Sequence, residues 1–151
     1  RSAGFIMNTQ DGIAITGKLT ISLNDEIVRE TDNLVVTAGK AWVAQRMEGV
    51  SLGIMTHMGI GTSTTAAAAG QTDLVAVTSP RVGLTTSGGT VAGAVITYAC
   101  SYPSGAHTAA ITEAGIFTAI TSGTMLARTV FTVVNKGALD SMTISWAVTI
   151  S

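Results

Sequence analysis

The residues that could do chemistry in this 151-residue chain are few and widely spaced. His57, His107 and Cys100 are its only histidines and its only cysteine. A nucleophilic triad needs a histidine, an acid and a serine or cysteine brought together. His57 lies within the apolar run Ile-Met-Thr-His-Met-Gly-Ile, where a hydrogen-bonded structural histidine is a better reading than a general base. His107 stands in the polar loop Ser104–Thr108 and is expected to be solvated. The chain has no G-x-S-x-G elbow. Two histidines and one cysteine so far apart lack metal-ligand spacing, and no segment resembles an EF-hand loop. Gly59-Ile60-Gly61 is a fragment of the dinucleotide fingerprint, but Thr64 stands where its third glycine belongs. Cys100 alternates with Tyr98 and Tyr102 on one strand face, so it reads as a small core residue.

Glu113 is the exception. It is the only acid between Asp73 and Asp140, and it sits at the start of the apolar stretch Ile111–Phe117. A buried carboxylate must be paired or hydrogen-bonded, and Arg128, the lone base of the following strand, is the obvious partner. With no second acid or base near it in sequence, the Glu113–Arg128 pair reads as a structural ion pair, between strands or between subunits. No residue is assigned a catalytic, cofactor-binding or metal-ligating role, no cofactor is implied, and the chain is expected not to be an enzyme.

The elements that would hold these residues are mostly strands. Ile13, Ile15, Leu19, Ile21 and Leu23 alternate with small or polar residues, the period of a half-buried strand, with a bulge expected at Gly17. Asn24–Glu26 makes a turn and Ile27–Glu30 a short returning strand. One helix is expected over Ala38–Glu48, capped by Thr37 and stopped by Gly49, with Trp42, Val43 and Met47 facing the sheet. Gly39 weakens it by up to about 1 kcal/mol relative to Ala. Further strands are expected at Ile54–Ile60, Arg81–Thr86, Val91–Tyr102, Ile111–Ala119, Met125–Val134 and Ser141–Ile150. Arg81–Thr86 and Val91–Tyr102 would form a hairpin around Ser87-Gly88-Gly89, and Thr62–Gln71 is a surface loop by composition. Trp42 and Trp146 are expected to be core anchors.

These elements predict an all-β fold: an antiparallel β-sandwich, jelly-roll-like, with one short helix near residues 38–48. Residues 13–151 would form a single domain, preceded by a flexible arm over residues 1–12 that orders only on a partner.

Composition narrows the function classes. Only 11% of residues are charged, against about 25% in an ordinary soluble domain. Eight bases, scattered from Arg1 to Lys136, face nine acids, which is not the basic patch that duplex nucleic acid demands. A 46% hydrophobic content with a net charge of −1 argues against disorder, and a single cysteine excludes an internal disulfide framework. The uncharged stretches Gly49–Thr72 and Val82–Thr112 are broken every few residues by Thr, Ser or Gly, so neither is a membrane-spanning helix. A net charge this close to zero favours association. Much of the surface is therefore expected to be covered by further copies, as dimer or trimer, or by other partners.

The second half carries a pattern. Thr112–Phe117 (TEAGIF), Met125–Phe131 (MLARTVF), Asn135–Gly137 with Asp140, and Thr143–Trp146 follow one another in turn. Upstream, Asn33–Lys40 (NLVVTAGK) and Met58–Thr65 (MGIGTSTT) fit the same pattern. Over residues 33–151 the chain resembles small structural proteins of tailed-bacteriophage virions, most closely capsid cement or decoration proteins. The resemblance implies a homo-oligomer on the outer capsid surface that clamps neighbouring subunits of the major capsid protein, with no nucleic-acid or membrane partner. Tail-fibre or baseplate attachment modules carry similar strands and are the first alternative. A carbohydrate-binding sandwich for host recognition is the second.

Overall fold

The computed structural model describes residues 12–50 and 53–151. Its ten strands are β1 (Ile15–Leu23), β2 (Glu26–Asp32), β3 (Leu34–Val35), β4 (His57–Gly61), β5 (Val77–Gly83), β6 (Thr90–Ala92), β7 (Val95–Tyr102), β8 (Ala109–Phe117), β9 (Met125–Lys136) and β10 (Met142–Ile150). The helix α1 spans Thr37–Glu48. The strands form two five-stranded antiparallel sheets, β2-β1-β10-β7-β6 and β3-β9-β8-β4-β5. Side chains of alternate positions interdigitate between them: Leu19, Ile21, Tyr98, Cys100, Ile144 and Trp146 from the first, Met58, Ile60, Ala114, Ile116 and Leu126 from the second. Tyr102 ties the layers with a polar contact, its hydroxyl donating to the Met58 carbonyl at 3.0 Å. The expected antiparallel β-sandwich with one short helix is the observed architecture. The expected arm over residues 1–12 lies outside the described residues, Gly12 apart.

Local sequence explains most joints. Asn24 and Asp25 take φ of 51° and 68°, the positive pair that a two-residue hairpin turn needs. Gly49 ends α1 at φ 91°, a left-handed conformation without penalty for glycine. Four expectations about these elements are corrected. The helix cap is Val36, with no side-chain hydrogen bond. Thr37 is instead the first helical residue, and its N–H donates to the carbonyl of Ala69 at 2.8 Å. Met47 is 80% exposed, while Trp42 and Val43 pack on the core. Gly17 is regularly paired with Val148, and the ladder irregularity falls at Ile21/Ser22. A Cβ at 17 would overlap the Asn33 carboxamide, so that side chain would have to move to admit one. Ile13 lies outside β1 and is 72% exposed.

The expected hairpin is also different. β5 pairs with β4 in the second sheet, and β7 takes β6 as its neighbour. Gly93, at φ 61°, splits the expected strand Val91–Tyr102 in two. The resulting two-residue Gly93-Ala94 turn closes a local hairpin, Ala92 facing Val95, with glycine at the positive-φ position such a turn needs. A single backbone bond, Thr85 N–H to the Ala99 carbonyl at 2.8 Å, remains of the expected pairing.

Exposed edges are managed. β3 covers only Ala127 and Arg128 of β9, which leaves later carbonyls of that strand unpaired on one side. Arg29 of β2 donates to two of them, Thr132 at 3.1 Å and Val133 at 3.0 Å, blunting an edge that could template association.

Candidate functional site

Two regions stand out as places where the fold concentrates chemistry or exposes unusual surface: a buried charge cluster on the outer face of the second sheet, and an apolar groove beside α1.

The cluster is built on β8 and β9. The register sets Glu113 opposite Val130 and Gly115 opposite Arg128, so Glu113 and Arg128 meet diagonally on one face. Both side chains are fully buried, and Arg128 Nη2 lies 2.9 Å from Glu113 Oε1. The carboxylate accepts five hydrogen bonds. Oε1 takes Arg128 Nε at 3.1 Å, Nη2 at 2.9 Å and the Val75 amide at 3.0 Å. Oε2 takes the amides of Ser63 at 3.1 Å and Ala76 at 2.7 Å. Arg128 Nη1 donates to the Thr65 carbonyl at 3.0 Å and to the Gln71 side chain at 2.9 Å. The ion pair lies within one chain, and its work is to fasten residues 62–76 over the sheet.

That segment seals a second, smaller core. Val36, Leu74, Phe117 and Met125 bury one another there. Gly59 and Gly115 make room: a Cβ on either would come within 3.0–3.1 Å of the Leu74 methyls. Arg81 stacks on Phe117, its guanidinium carbon 3.5 Å from the ring centre. It also donates to the carbonyls of Ala119 and Ser122, both at 2.8 Å, and pairs with Asp73 at 3.2 Å. The TEAG and MLAR segments are thus one packed unit: Glu113 and Arg128 hold the loop, Gly115 admits Leu74, and Phe117 carries Arg81. In the next turn, Asp140 Oδ2 accepts the Gly137 amide at 2.8 Å and Oδ1 accepts Asn24 Nδ2 at 2.9 Å. These bonds, that from Asn24 foremost, hold the Asp140 carboxyl below its usual pKa.

The remaining candidates are engaged structurally. His57 Nδ1 lies 2.8 Å from Thr56 Oγ1, and that hydroxyl donates to the Thr118 carbonyl at 2.9 Å. Its proton is committed away from the imidazole, which is not the geometry of an activated nucleophile. His107, expected to be solvated, is half-buried. Its ring meets Tyr102 edge-on at 5.1 Å, and Nε2 lies 2.7 Å from the Pro80 carbonyl. Cys100 is buried, and burial pushes its thiol up to about 11. Among the described residues no three His, Cys, Asp or Glu side chains converge on a metal position. No helix of the described residues is long and apolar enough to cross a membrane.

The groove is a cavity of about 440 Å³ between α1 and the β6–β7 hairpin. Trp42, Val43 and Met47 form one wall, Val91, Val95 and Ile96 the other, and Ile15, Leu126, Val148 and Ile150 the floor and mouth. Arg46 is its only charged lining residue. Met47, Val91 and Ile150 are 80%, 66% and 45% exposed, although each is of a type that ordinarily seeks the interior. Trp42 is half-buried, with its indole N–H donating to Gly53 at 3.0 Å. Trp146 is fully buried and a core anchor, whereas Trp42 packs on the core and also lines the groove.

Comparison with protein-family models, with curated proteins and with solved structures returned no match. The sequence pointed to Glu113 and Arg128, and the structure brings them together. It did not point to Leu74, to the amides of Ser63, Val75 and Ala76, or to Arg81. One signal was available: Asp73 and Arg81 are the only charged residues between Glu48 and Glu113, and they pair. The groove left no sequence signal, because its lining comes from six elements spread along the chain.

Proposed function

We propose that this chain is a structural component of a tailed-bacteriophage virion, without catalytic role. It binds the outer capsid surface in several copies and clamps neighbouring major capsid protein subunits. The resemblance of residues 33–151 to cement proteins suggests the class, and a jelly-roll relationship of the two sheets belongs to the same proposal.

The observation that carries the reading is the surface. Among the described residues, thirteen large apolar side chains are exposed, on a chain with only eight bases and nine acids. Such a surface is poorly defended against association and suits a protein that spends its life in contact with others. The internal anchoring supports the same role, since a clamp transmits load only if its sheets and loops do not yield. A carbohydrate-binding role is less favoured. Tyr98, Tyr102, Phe117, Phe131 and Trp146 are all buried, which leaves Trp42 as the one accessible aromatic ring among the described residues.

Immunogold electron microscopy of the source virions tests the proposal. Gold over the head, with heads lacking the protein bursting more readily, is the expected result. Gold at the tail tip or collar moves the function to attachment, and absence of label from every particle overturns the virion reading.

A further inference from the structure

The groove beside α1 is lined by apolar residues and glycine, apart from Trp42, Arg46 and Tyr98. The Trp42 indole N–H is spent on the Gly53 carbonyl at 3.0 Å. The other two are uncommitted. Tyr98 is 2% exposed, and one edge of its ring packs so closely on Gly89 that a Cβ there would lie 2.9 Å from it. Its hydroxyl has no hydrogen-bond partner among the described residues, and burial alone acts on its proton. A tyrosine this deep ordinarily finds a partner. Tyr102, two residues along the same strand face, donates to the Met58 carbonyl at 3.0 Å. Arg46, exposed in the last turn of α1, forms no ion pair with any described acid.

We propose that this groove binds a small apolar carboxylate that carries a second oxygen on its body, an ω-hydroxy fatty acid being the simplest form. The inference stands on the groove itself, independently of the virion reading. A cavity of about 440 Å³ falls within the roughly 300–1,000 Å³ of small-molecule sites, which are mostly apolar with a few placed polar groups. Arg46 takes the carboxylate, and the exposure of its side chain lets the head keep much of its water. The chain covers Met47, Val91 and Ile150, which are otherwise exposed. Tyr98 donates its hydroxyl proton to the second oxygen. A plain alkyl chain in the same place would seal that hydroxyl without a partner, a loss of about tenfold in affinity. A cationic amphiphile would be repelled by Arg46, and a sugar would leave the apolar walls unmatched.

NMR titration of the isotope-labelled full chain tests this, with ω-hydroxyoctanoate, octanoate and octane-α,ω-diol as probes. The Trp42 indole N–H reports on the groove, while the fully buried Trp146 serves as the internal reference. In the native chain the hydroxy acid is expected to saturate the Trp42 shift about tenfold more tightly than octanoate and about threefold more tightly than the diol. Tyr98→Phe should erase the preference over octanoate and keep that over the diol. Arg46→Gln should do the reverse. Each variant is its own control across the three probes, so a general loss of stability does not mimic the pattern. Equal binding of all three by the native chain overturns the proposal, as does either preference surviving removal of the side chain assigned to it. No movement of Trp42 with any probe overturns it as well, and leaves the groove to a macromolecular partner.

Discussion

Replacing Glu113 by Gln tests whether the buried pair anchors residues 62–76 or merely fills space. The native carboxylate accepts two bonds from Arg128 and three from the amides of Ser63, Val75 and Ala76. A carboxamide keeps the shape but offers one accepting oxygen, so its NH2 must face donors on the other side. Arg128, fully buried, is left without its counter-charge. Breaking a buried pair in this way costs about 3–5 kcal/mol, a large part of the roughly 5–15 kcal/mol that stabilises a domain. At about 2–4 °C per kcal/mol for a chain of this size, the melting midpoint should fall by roughly 6–20 °C. Urea unfolding followed by Trp146 fluorescence measures the loss. Hydrogen exchange localises it, with the Ser63, Val75 and Ala76 amides deprotected first. The apolar double variant Glu113→Leu/Arg128→Met removes both charges, yet it still orphans those three amides, each at about 1–3 kcal/mol. It should therefore not regain native stability. A loss under about 1 kcal/mol in Glu113→Gln, with unchanged amide protection, would refute the anchoring argument.

Gly115→Ala places a methyl 3.0 Å from Leu74 and 3.1 Å from the Phe117 ring, and should cost about 1–3 kcal/mol by overpacking. In a Leu74→Ala background the same change should cost measurably less, as a double-mutant cycle by thermal melts would read. Gly39→Ala sets helix propensity against packing. Propensity alone predicts a gain of about 1 kcal/mol, but a Cβ at 39 would overlap the Leu126 carbonyl, so a net loss in urea midpoint is expected. Burial raises the Cys100 thiol to about 11 and the Tyr98 hydroxyl to about 12. The unfolded chain releases these protons first, so their contribution is full below pH 9 and lost as pH rises through the folded values. Urea midpoints should accordingly decline above pH 9, and a thiol reagent at pH 8 should modify Cys100 only after unfolding.

What the sequence alone determined here is what depends on near neighbours. The alternation of Ile15–Leu23, the Asn24-Asp25 turn and the Gly49 helix stop are set within a few residues, and all were legible. Glu113 and Arg128 were legible too, because a lone acid and a lone base in consecutive apolar strands have few other partners. The tertiary structure decided whatever depends on which surfaces meet. Gly39 read as a weak point in the helix and Gly17 as a bulge; only the fold shows the Leu126 backbone pressed against the one, the Asn33 side chain against the other, and Leu74 close to Gly59 and Gly115. The helix begins at Thr37 itself, one residue earlier than a Thr37 cap would allow, with the Thr37 N–H given to the carbonyl of Ala69, a partner distant in sequence. Thr62–Gln71 read as a plain surface loop, and most of its residues are exposed. Yet its Ser63 amide and those of Val75 and Ala76 just beyond it converge on one carboxylate, and no period or composition records where a backbone N–H will point. The apolar groove belongs to the same class, since a cavity is a property of the space between elements and no single segment encodes it.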